Sequence, residues 1–394
     1  MRSDPSASPR SITAPPDPPI WVTEPFRVFF PLGIAASLFG VLIWPLFYGG
    51  IWPYPPHLQH PRILIFGFGF AFIVGFLGTA WPRFLEGAAM RRSELALLVV
   101  TWLAAQIAYG SHQLRIGDGL FATHSLALLL ILASRVREKK IPPPPGFALA
   151  FGSVVMGFAV ALTWAIFPTG FSVPLARFLK LLAYQGLLLL PILGVGSYLF
   201  GRFFHAPGER PIAASAKQCA LGVWLAAALV LISFGIEATG WVRLGNGVRF
   251  SALLLWVTLA APAVWRASVR TTRAWALRFG LGTIAASFLI RTIHPGPGYA
   301  VEHLLFLGGF GLLILLVADR VSIGHAGGDF DLLPSRSKLW RWLAWFILVA
   351  ALTRASADYK ASLMISHHSY AALMWAIVLV VWVFFHQRHW RTVG

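Results

Sequence analysis

The chain has 394 residues, of which 57% are hydrophobic and only 12% charged. A soluble domain carries about 25% charged residues, so an ordinary soluble protein is excluded and an all-α, polytopic membrane bundle is expected. A single cysteine, Cys219, excludes an internal disulfide and any Cys-x-x-Cys metal or haem-attachment motif, and a net charge of +18 spread through short loops argues against a nucleic-acid-binding face.

Residues 1–24, rich in Pro and Ser, read as a disordered cytoplasmic tail and not as a signal peptide. The remainder, 25–394, reads as a single transmembrane domain. A helix needs about 20 apolar residues to cross the hydrocarbon core. Twelve stretches qualify: 28–48, 62–82, 95–112, 118–135, 147–167, 176–203, 215–235, 248–265, 274–293, 300–319, 340–356 and 367–386. The third and fourth are divided by an expected turn at Leu114–Gly117, and the fifth follows the rigid run Pro142–Pro145. Pro191, in the middle of the sixth, is expected to kink it and free a carbonyl. With the N-terminus placed in the cytoplasm, the inner segments hold 23 of the 32 Lys and Arg residues. The positive-inside rule therefore supports twelve spans with both termini cytoplasmic.

That topology puts eight of the twelve histidines at the outer end: His57, His60, His112, His124, His294, His303, His367 and His368. Neutral imidazole is a common ligand for haem iron and copper. His303 is one turn inside the outer boundary, where it is either an axial ligand or an interfacial histidine bonded to a carbonyl or to Glu302. His124 lies deepest, and the ligand and structural readings stand level. Adjacent residues on a helix diverge by about 100°, so at most one of His367 and His368 faces the bundle. His57 and His294, in Pro-rich loops, read as surface residues. His205, His325, His386 and His389 fall at the inner side; His386-x-x-His389 adjoins Arg388 and Arg391 and reads as solvated.

The second stretch opens His60-Pro61-Arg62-Ile63 and continues through Phe66-Gly67-Phe68 and Gly75-Phe76-Leu77-Gly78-Thr79-Ala80. Its small residues suit close helix packing first, and the approach of a flat macrocycle second. No carboxylate falls mid-membrane, Glu237, Glu302 and Asp319 being at span ends, which argues against proton-coupled transport. Gln106, Lys180 and Gln185 are the few polar groups at depth.

His303, Arg320 and Ser322–Gly327 resemble the tenth-helix signature of the NnrS family. Those are twelve-helix bacterial membrane proteins that carry haem and copper and are linked to nitric oxide stress. The second stretch resembles the family's His-x-His-Glu-x-x-x-Gly-Phe segment, but Arg62 and Ile63 stand where the family has its second histidine and Glu. The sixth-helix Gly-Gly-Arg-x-x-Pro pattern appears as Gly194-Val195-Gly196-Ser197-Tyr198-Leu199, without the arginine. By analogy the architecture is similar to the catalytic subunit of haem-copper oxidases, although the sixth to eighth stretches hold no histidine.

The resemblance implies a protein of the bacterial inner membrane that binds haem and nitric oxide near the periplasmic face. Haem iron is then held by His303 and one of His60 or His124, with His367 and His368 as further candidates. Arg62 or Arg291 would pair with the haem propionates. The departures favour one haem over a haem-copper pair. The competing readings are a metal-free permease for a small molecule and a non-catalytic scaffold or sensor; the residues do not separate turnover from binding.

Overall fold

The computed structural model describes residues 19–137, 139–144, 146–204, 212–267, 271–296, 298–327 and 337–391. His205, Pro145 and the first eighteen residues of the expected tail lie outside the described residues; Ile20–Thr23 forms one helical turn. Every regular element among the described residues is helical, and twelve are long. They are α1 (Phe26–Tyr48), α2 (Gln59–Leu85), α3 (Arg92–Gly110), α4 (Leu114–Val136), α5 (Phe147–Ile166) and α6 (Val173–Phe204). The second half holds α7 (Ala216–Ala238), α8 (Val242–Leu259), α9 (Thr272–Ile293), α10 (Gly298–His325), α11 (Ser337–Ser356) and α12 (Met364–Arg391).

Ten of them are long and apolar enough to cross a membrane, which makes this a multi-pass membrane protein. The other two, α8 and α11, are of similar length but carry Arg243 and Arg249, and Lys338, Arg341 and Arg354. Most expected boundaries shift by a few residues, and two of the shifts have a local cause. The turn between α3 and α4 lies at Ser111–Gln113, where His112 takes a left-handed φ of 60°, so Leu114–Gly117 is already helix. The eighth helix starts at Val242, six residues before expectation, because Asn246 finds a partner in Glu237 inside the protein and needs no loop.

Each helix packs on its neighbours in sequence, and α12 returns to α1. Lipid offers apolar surface as good as another helix, so close contact and polar bonds decide the packing. Gly146 before α5 and Gly194 in α6 bring two backbones together: a Cβ on either would run into the other's carbonyl. The most apolar windows of α2, α6 and α10 are 78%, 72% and 61% buried, against 33% for α3. Together with α1, whose window is likewise 61% buried, these three helices are central.

The same three share an irregularity that no sequence motif announced. Each changes to π-helical winding, at Ile63–Gly69, Leu182–Gly186 and Leu304–Gly311, and each such segment ends on a glycine. In α6 this change of winding precedes Pro191, and the helix then runs through the proline to Leu199. Single π turns inside α-helices are frequent at functional sites.

Candidate functional site

His60 and His303 enter from the first turns of α2 and α10 and meet at one end of the bundle. Their ring centroids are 6.4 Å apart with planes at 27°. Nδ1 of His60 donates to the Gly40 carbonyl at 2.7 Å, and Nδ1 of His303 to the Tyr299 carbonyl at 2.6 Å. A carbonyl only accepts, so each neutral ring carries its proton on Nδ1 and keeps the Nε2 lone pair for a ligand. Histidines that bind metals are commonly held this way by a carbonyl behind the ring.

His368 of α12 joins the pair through Trp44 of α1, whose ring stands edge-on 5.9 Å from His60 and 4.9 Å from His368. Nδ1 of His368 and the Tyr48 hydroxyl bond at 2.7 Å, while its buried Nε2 has no hydrogen-bond partner. Its sequence neighbour His367 turns the other way. Ser356 Oγ gives its proton to the Thr353 carbonyl and accepts from His367 Nδ1 at 2.7 Å. His367 thus lines an open groove between α11 and α12, as the 100° divergence requires.

His124 is not brought to this pair. It bonds Thr101 Oγ1 at 3.0 Å and packs on Phe70 and Phe29, with ring centroids at 5.6 and 6.2 Å. Its Nε2 is buried without a partner. His57 and His294 are exposed, and His112 stacks on Tyr54 at 4.7 Å. Among the described residues no three His, Cys, Asp or Glu side chains form a group able to hold a metal ion. The donor arrangement is therefore a pair.

The cations nearby are spoken for to different degrees. Arg62 forks onto Asp118 through two bonds of 2.9 Å, lies 4.7 Å over the Trp164 ring, and shares Asp118 with the Tyr109 hydroxyl. Arg291 bonds Glu237 at 3.1 Å, and Glu237 also pairs with Arg249. Arg249 in turn donates to Gln185 at 2.6 Å, which accounts for one of the polar groups expected at depth. Lys180 is looser, 3.8 Å from Glu302 and 4.7 Å over the Tyr299 ring.

The glycines flanking the histidines are filled by protein. A Cβ on Gly67 would strike Gln106, on Gly308 Thr283 at 2.7 Å, and on Gly309 Ile284 at 2.5 Å. They serve helix packing, the first of the two sequence readings.

At the opposite end, His386 is fully buried and not solvated as expected. Its Nδ1 bonds the Trp382 carbonyl at 2.6 Å and its Nε2 bonds Asp319, which also accepts from Arg273 at 2.7 Å. With both ring nitrogens engaged, His386 offers no lone pair to a metal. Sequence reasoning missed both ion pairs, because Asp319 lies 46 positions from Arg273 and Asp118 lies 56 from Arg62.

The matching family profile is described as NnrS protein and covers residues 20–389, nearly the whole chain. The chain belongs to the NnrS family. No curated protein is matched by it. In this NnrS protein the His60–His303 pair has donors that could hold a haem iron: with Nδ1 tied to a carbonyl, each ring keeps an Nε2 lone pair, and the two rings come from helices that pack against each other.

Proposed function

We propose that all twelve helices cross the bacterial inner membrane, and that this NnrS protein binds one haem near its periplasmic end, through His60 and His303, in nitric oxide handling. The observation that carries the reading is the 6.4 Å approach of two imidazoles whose Nδ1 atoms are both tied to carbonyls. Bound there, haem would supply an iron able to take nitric oxide or to pass electrons. The protein's own part is orientation. Gly40 and Tyr299 fix the two rings, Trp44 walls the site, and His368 offers a further buried nitrogen beside it.

For the propionates, Arg62 and Arg291 are candidates already bonded to carboxylates, whereas Lys180 sits beyond hydrogen-bond reach of Glu302 and has freedom to turn. Copper is not part of the proposal. The family's second histidine is replaced by Arg62, whose guanidinium offers no lone pair to a metal.

An optical spectrum of haem-replete protein tests the reading. A Soret band that shifts or disappears in His303→Ala is expected; no band, with neither iron nor copper present and substrate-dependent uptake into vesicles, would replace it by the metal-free permease.

A further inference from the structure

A cavity of about 100 Å³ lies where α2, α6 and α10 meet. Its wall includes Phe30 of α1, Phe72 of α2, Leu188 and Pro191 of α6, and Ile314 and Val317 of α10. No lining residue has a polar side chain. Buried water needs two to four polar partners, so such a space stays dry, and dry apolar cavities take up xenon or small apolar molecules. Size narrows the class further. An apolar cavity of about 150 Å³ accepts benzene, so this smaller one suits a molecule of a few atoms.

Its place in the fold is the second, independent observation. The cavity begins at Gly69, the last residue of the π segment Ile63–Gly69, and at Leu188 and Leu313, each two residues past the π segments Leu182–Gly186 and Leu304–Gly311. A helix advances about 1.5 Å per residue. Gly69 is nine residues from His60 and Leu313 ten from His303, which is roughly 14–15 Å along each helix. The two helices that bring the histidines together thus also enclose the cavity, and the third central helix closes it. The wall is partly preset: Phe30 and Phe72 are stacked at 4.5 Å and 13°.

We propose that this cavity is a docking site for a small, neutral, apolar molecule of a few atoms, taken up from the lipid core; only the choice of nitric oxide as that molecule depends on the haem reading. Xenon is the probe. In crystals of the full-length protein under xenon pressure, an anomalous peak is expected between Phe72, Leu188 and Ile314. Ile314→Phe, and independently Val317→Phe, should abolish that peak while leaving any others. An ordered acyl chain or water in the cavity, or wild-type protein with xenon peaks elsewhere but none there, would overturn the proposal. Xenon binding needs no haem and the Soret band needs no cavity, so the two readings fail separately.

Discussion

Asp118→Ala is the sharpest test of how the histidine end is held. In the wild type Asp118 accepts two bonds of 2.9 Å from Arg62 and one of 3.0 Å from Tyr109, and the Arg62 side chain is only 12% exposed. If these were three ordinary interhelical bonds in a membrane, at about 0.6 kcal/mol each, their loss would cost about 2 kcal/mol. Removing one partner of a buried ion pair costs about 3–5 kcal/mol instead, because the other charge is left stranded. We expect the larger figure, since Arg62 stays wedged over Trp164 with no other carboxylate bonded to it. Arg62→Met combined with Asp118→Leu removes both charges and should lie within about 1 kcal/mol of wild type, as buried pairs replaced by apolar residues often do. Equilibrium unfolding in mixed micelles reads both, and Arg62→Met and Asp118→Leu made singly complete the double-mutant cycle around the pair. A single-mutant loss of about 2 kcal/mol or less, or a double mutant as unstable as the single, would refute the stranded-charge account.

Other expectations are equally direct. Gly194→Ala should lose about 1–3 kcal/mol by overpacking against the Gly146 carbonyl. Gly282→Ala, with nothing within 4 Å of its Cβ, should be neutral or gain up to about 1 kcal/mol from helix propensity; the same unfolding assay reports both. Asp319→Ala removes the acceptor shared by His386 and Arg273 and should cost about 3–5 kcal/mol; an unchanged midpoint would show that the triad carries no stability. In haem-loaded protein, His60→Ala and His303→Ala should each alter the Soret band while His124→Ala leaves it alone. A response to His124→Ala but not to His60→Ala would move the axial position to the α4 histidine.

The stacking of distant residues explains where sequence reasoning stopped short. Asn246 fell outside the expected eighth span because its polarity is visible locally, while Glu237, which holds it, comes from the preceding helix. His386 looked solvated for the same reason: Arg388 flanks it in sequence, but Asp319 and Arg273 flank it in space. The family signature was legible in two helices, and the profile then extended it over residues 20–389.

Local sequence by itself determined the class of the molecule. Runs of about twenty apolar residues specify membrane helices, since an unsatisfied backbone cannot stand in lipid, and histidine positions along those runs specify that most of them share one end. Which histidines meet was decided only by the tertiary structure. His60 and His303 lie on helices remote in sequence, and their approach depends on α2 and α10 both being central; His124, the deepest of the outer histidines in sequence, faces Phe29 and Phe70 instead. The π segments and the apolar cavity below them belong to the same category. They arise where three helices pack against one another, and no single helix encodes that meeting.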